Sequence, residues 1–136
     1  SIRKGSNIYG LIFGTNHTLG MEKFLNVAWK IDKLRGEANY DIDGEKIDNS
    51  APSLFAQFNL PKKRQMFENG LSQNILNLLL KTDRDVYLYS LSEGFLLKDA
   101  HPTLKKLKSE GKIDYEFVLV SSDLHKIKVA SAITVL

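Results

Sequence analysis

The chain contains no cysteine, which excludes a disulfide framework, cysteine–zinc sites and thiol catalysis together. Proline is scarce, at three residues. No apolar run approaches the roughly 18–20 residues that a membrane-spanning helix needs. A strong charge excess is missing too: 19 Lys+Arg stand against 16 Asp+Glu, a net of +3, which permits nucleic-acid binding without arguing for it. The first residues, Ser1 to Asn7, are too polar for a signal peptide, so a cytoplasmic protein with no membrane partner is expected. What is there is ordinary globular material, 136 residues with 43% apolar and 26% charged, enough for one core or two very small ones.

The order of elements is more informative than the composition. Ile8 to Gly14 is almost continuously apolar without helical period, the pattern of a strand buried on both faces inside an α/β sheet. Thr15, Asn16, His17 and Thr18 follow as a polar cluster able to cap a helix. Met21, Phe24, Leu25, Ala28 and Ile31 then recur at spacings of three and four, predicting an amphipathic helix over 19–34 closed by Gly36. One β–α unit cannot cover both faces of its own strand, so residues 1–36 read as the end of a larger Rossmann-like sheet. Residues 37–69 are rich in Asp, Asn, Gly, Ser and Gln and read as a linker, ending in Lys62, Lys63 and Arg64.

Residues 70–136 carry a fuller pattern. Leu71, Ile75, Leu76, Leu79 and Leu80 predict a helix with Ser72 near its start. Val86 to Glu93 predicts a second, capped by Gly94. Leu97, Ala100, Leu104 and Leu107 predict a third, with Asp99 as N-cap, Pro102 in the first turn and Gly111 as the stop. Alternation from Ile113 to Val120 and from Ile127 to Val135 predicts two strands. Three helices and a terminal hairpin are the winged-helix order. The fold class expected is therefore α+β: a Rossmann-like β–α unit, a linker, and a winged helix.

In such a unit the third helix enters the major groove. Lys98, His101, Lys105 and Lys108 fall within an arc of about 80° on it, Lys112 extends the edge, and Lys126 and Lys128 in the wing would reach a flanking phosphate. Residues 69–136 hold nine Lys+Arg against eight Asp+Glu, and the third helix has no arginine, the commonest reader of guanine. The alternative is an ordinary solvated face. Thr15, Asn16 and His17 sit where an α/β sheet presents ligands, and the alternative there is plain helix capping. Asp41 to Glu45 with Asp48 lacks the spacing of a calcium loop, and His101 and His125 are too isolated for a metal site. Tyr87, Tyr89 and Phe95 offer either stacking surfaces or core, and Trp29 with Phe24 and Phe13 reads as core.

Two stretches carry a resemblance. Ile8 to Lys23 (IYGLIFGTNHTLGMEK), running on to Ala28 to Asp32 (AWKID), resembles a segment of the three-Cys-motif partner proteins. Gly94 to Pro102 (GFLLKDAHP), followed by Leu104 to Leu107 and Glu110 to Ile113, is similar to that family's C-terminal winged-helix segment. The chain departs from the family at Thr18, where proline is common, and at Phe24 and Leu25, where the family helix is richer in methionine. The resemblance implies a bacterial protein with a methyltransferase-like Rossmann domain upstream, associated with a three-Cys-motif protein related to radical enzymes, in a DNA-repair or phage-related setting. In such proteins the glycine-rich S-adenosylmethionine segment lies upstream, so no cofactor is expected in these residues.

The resulting expectation is a non-catalytic C-terminal fragment whose winged helix binds double-stranded DNA and recruits a catalytic domain elsewhere in the parent protein. The alternative is a docking module for a three-Cys-motif protein, or for a second copy through the strand at Ile8 to Gly14.

Overall fold

The computed structural model of the chain describes residues 2–4, 6–10, 13–33, 40–41, 56–116, 124, 126 and 130–136. They contain helices and two small sheets, arranged in two compact units, 1–63 and 64–136.

In the first unit, β1 (Ile2–Lys4) and β2 (Asn7–Tyr9) form an antiparallel pair. Helix α1 (Thr18–Ile31) leads on to β3 (Tyr40–Asp41), which pairs parallel with β1. The order is β2-β1-β3, so among the described residues β2 stands at the edge and not at the interior place its apolar run suggests. Gly10, Phe13 and Gly14 lie outside any strand and are exposed, while Leu11 and Ile12 fall outside the described residues. The polar Ile2 to Lys4 takes the central place because it alone bonds to two neighbours. Helix α1 buries Leu25 and Ala28, and Phe13 stacks on Phe24 with centroids 4.3 Å apart. Phe13 nevertheless stays 42% exposed, and Trp29 is half-buried with the Lys63 ammonium 5.9 Å above its ring.

The span 37–69 expected as a linker is helical from Ala56 onward, because α2 runs Ala56–Leu76. Phe67, Leu71 and Ile75 recur every fourth residue and are buried, and that apolar stripe holds the helix to the core of its unit. Ser72, expected near a helix start, sits well inside and donates its hydroxyl to the Glu68 carbonyl at 2.8 Å. The helix stops at Leu76, leaving Leu79 69% exposed instead of on the core face.

α3 (Asp83–Ser92) begins three residues before its apolar pattern. The reason is a capping box: Thr82 Oγ1 accepts from Asp85 N at 3.1 Å and Asp85 Oδ2 accepts from Thr82 N at 3.1 Å. Gly94 and Gly111, both at positive φ, end α3 and α4 (Leu97–Ser109). β4 (Ile113–Asp114) and β5 (Thr134–Val135) pair antiparallel, with Ile113 opposite Val135. Thr82 forms a further antiparallel bridge with Ala132. Asp83 locks that bridge by accepting from Ser131 N at 3.0 Å while its own N–H donates to the Ser131 carbonyl. Part of the expected hairpin, including Phe117 to Val120 and Ile127 to Val129, lies outside the described residues.

The core of this unit joins all its elements: Phe67, Leu71 and Ile75, then Val86, Tyr87 and Leu91, then Leu97, Ala100, Leu104 and Leu107, closed by Ile113 and Ile133. Tyr87 and Phe95 are fully buried, which removes two of the three aromatics considered as stacking surfaces. Phe95 instead stacks on Phe67 at 4.3 Å.

Candidate nucleic-acid interface

Helix α4 starts three residues earlier than Asp99 as N-cap would place it. Asp99 is not the N-cap but the third helical residue, reaching back to accept from Leu96 N at 3.0 Å. Its other oxygen accepts from both Nη1 and Nη2 of Arg64 at 3.3 Å, and that guanidinium also lies 5.6 Å from the centre of the Phe95 ring. One carboxylate thus fixes the first turn of α4 and ties it to α2, and Asp99 is mostly buried in doing so, with 13% of its side chain exposed. Pro102, placed in the first turn by the sequence reading, is the sixth helical residue.

With the bounds fixed, the angular positions follow at 3.6 residues per turn. Leu97, Ala100, Thr103, Leu104 and Leu107 form the buried side. Opposite them, within about 60°, lie Lys98, Pro102, Lys105 and Ser109, all exposed. Lys106 borders one side of this face and His101 with Lys108 the other. His101 is half-buried, as its place beside Leu97 and Leu104 on the helix requires.

The lysines differ in what they already hold. Lys108 Nζ donates to the Tyr115 carbonyl at 2.6 Å, pairs with Asp114 Oδ1 at 3.2 Å and lies 4.6 Å from the centre of the Tyr115 ring. It clasps the exit of α4 to β4. Lys112 pairs with Glu110 at 2.8 Å, and its hydrogen bond holds the Glu110 carboxyl below the usual range, with the charges of Lys112 and Lys106 adding to the effect. Among the described residues, Lys98, Lys105 and Lys106 make no ion pair. Sequence reasoning had passed over Lys106, whose place on the outward face becomes visible only with the helix phase known. Arg64 had been assigned to a linker. Lys126 is exposed, and Lys128 lies outside the described residues.

The surroundings carry both signs, with Lys81 and Arg84 next to the acidic residues of α3. Asp83 and Asp85 occupy the first turn of α3, and a recess of about 410 Å³ beside β4 and β5 is lined by Asp114, Tyr115, Glu116, Ser131, Ala132 and Thr134. Among the described residues, three exposed cations that make no ion pair, Lys98, Lys105 and Lys106, share one side of α4, and Lys81 and Arg84 lie apart from them at the start of α3.

The other candidate cluster is engaged in capping. His17 is the N-cap of α1, its Nδ1 accepting from Leu19 N at 3.2 Å, and Thr15 Oγ1 accepts from His17 N at 3.1 Å. A Cβ at Gly20 would stand 2.7 Å from Thr15 Oγ1, so the glycine admits this turn. Asn16 is exposed beside them.

No family model, curated protein or solved structure matches the chain. No helix among the described residues is long and apolar enough to cross a membrane.

Proposed function

We propose that residues 64–136 form a winged-helix module that binds double-stranded DNA through the outward face of α4 and recruits a catalytic domain located elsewhere in a longer protein. The observation that carries this reading is the set of exposed ammonium groups on Lys98, Lys105 and Lys106, which make no ion pair among the described residues. The order α2, α3, α4, β4, β5, with the Thr82–Ala132 bridge between the first and second helices, supports the winged-helix reading. Residues 1–63 are taken as the end of a methyltransferase-like Rossmann sheet related to the three-Cys-motif partner proteins, a bacterial cytoplasmic setting. The parallel pairing of β1 with β3 across helix α1 supports that part.

The test is fluorescence anisotropy of a labelled random duplex at two salt concentrations. Binding is expected in the micromolar range and to weaken as salt rises, since each neutralised phosphate releases counterions. The double variant Lys98→Glu/Lys105→Glu should lose at least tenfold in affinity while keeping its far-ultraviolet dichroism. Equal binding by parent and variant would place the interface elsewhere.

A second reading rests on a different observation. Among the described residues β2 is bonded to β1 alone, and Val27 and Ile31 on α1 are 54% and 46% exposed. A strand edge without a second neighbour among the described residues, and an apolar pair on a helix of the same unit, suit pairing with a second copy or with a three-Cys-motif protein.

A further inference from the structure

Resting on the DNA-binding reading, we infer that α4 holds duplex DNA by its phosphates and does not discriminate base sequence. Sequence-reading helices put residues of their N-terminal half against base edges, and the side chains that hold a base edge in a fixed two-point geometry are arginine, which donates twice to guanine, and asparagine or glutamine, which donate to and accept from adenine; lysine also reaches guanine, without that planar fork. α4 has no arginine, asparagine or glutamine. Its one carboxylate, Asp99, is committed to Leu96 N and Arg64. The centre of the face, between Lys98 and Lys105, is Pro102, exposed and without a polar side-chain atom.

The two lysines that flank Pro102 are placed for the backbone instead. They are seven residues apart on nearly the same side, a rise of about 10.5 Å, against a major groove about 12 Å wide. An ammonium on a flexible four-carbon stem is a point charge that accepts any phosphate geometry, whereas base readout favours the fixed fork of arginine. Lys106 adds a third cation at the border. Glu116, exposed just beyond β4, would repel phosphate on that side of the unit. Three neutralised phosphates give a log–log salt slope of about −2.7.

The experiment is selection of bound duplexes from a library with a randomised central segment, using the whole chain, with the affinity of the starting and final pools compared. The expected result is no enriched motif and affinities within twofold of each other. Pro102→Ala should bind like the parent, and Lys98→Ala and Lys105→Ala should each make the salt slope shallower by about one unit. A final pool bound at least thirtyfold more tightly, sharing a motif, would overturn the inference while leaving DNA binding intact. Failure of the starting pool to bind at low salt would overturn the DNA-binding reading itself, and this inference with it.

Discussion

Lys105 and Lys108 are three residues apart on one helix, yet only the first is available to a ligand, because the second already holds the Tyr115 carbonyl and Asp114. Charge counted from sequence gives both the same weight. Partners given by the fold separate them. A similar single-residue constraint operates at Gly70 on α2, where an added Cβ would stand 2.6 Å from the Tyr89 hydroxyl. Gly70→Ala should therefore destabilise the parent by about 1 kcal/mol or more. In a Tyr89→Phe background the obstruction is gone, and the same change should stabilise by about 0.5–1 kcal/mol, the usual gain for alanine over glycine inside a helix. Urea unfolding of the four proteins checks it, and additive effects would contradict the contact. Tyr89 also carries a pH signature. Burial pushes its phenol above the ordinary 10.0, Glu93 pushes the same way, and a hydrogen bond with Asn74 opposes them. The neutral phenol's contribution is present below the unfolded value and lost as pH rises through the folded one, so Tyr89→Phe should flatten the alkaline loss of stability.

At the scale of elements, the turn after α2 holds the least comfortable backbone among the described residues. Leu78 adopts φ +60°, donating to the Ile75 carbonyl while Leu79 and Leu80 both donate to Asn74. This is the C-terminal position that normally belongs to glycine, and a left-handed conformation costs an L-residue roughly 1–2 kcal/mol. Leu78 is 52% exposed, so little packing offsets that cost. Leu78→Gly is expected to raise stability by about 0.5–1 kcal/mol, read as a higher urea midpoint with unchanged slope. Legibility of the elements followed the same physics. α1, α3 and α4 could be read from sequence because one apolar stripe alternates with charge. The N-terminal half of α2 could not, because Gln57, Asn59 and Pro61 interrupt any apolar stripe in the sequence before Phe67. The strand expected at Ile8 to Gly14 was drawn too long, since an apolar run records burial preference and not pairing. Start points were displaced where the cap was a residue with no strong signal, His17 for α1 and Leu96 for α4.

Across the whole molecule, a net charge of +3 conceals an uneven distribution: Arg64, Lys108 and Lys112 are held in ion pairs and Asp83, Asp85 and Asp99 in hydrogen bonds at helix starts, while Lys98, Lys105 and Lys106 on α4 are exposed and make no ion pair among the described residues. The candidate residues were legible as a basic helix, but their division into paired and available groups depended on contacts such as Lys108 with Asp114 that bring an element's end back onto itself. The edge strand of the first unit gives a prediction at this scale. If β2 pairs with its own copy, light scattering should show the mass doubling with concentration, and Arg3→Pro in the central strand β1, which removes a ladder donor, should disrupt the sheet and abolish the dimer. A constant monomer mass up to high concentration would rule out that assembly.

Pro102 has a dynamic consequence. Lacking an N–H, it leaves the Lys98 carbonyl without its i+4 donor, so the opening turn of α4 is joined to the rest of the helix by one bond fewer. What retains that turn is Asp99, through Leu96 N and the guanidinium of Arg64. Lys98 rides on this turn, and its readiness to meet a phosphate is thus governed from a different helix: Arg64 acts as the stay of a short lever, and slackening it would let the leading cation of the face swing free while Lys105, a full two turns further on, keeps its place.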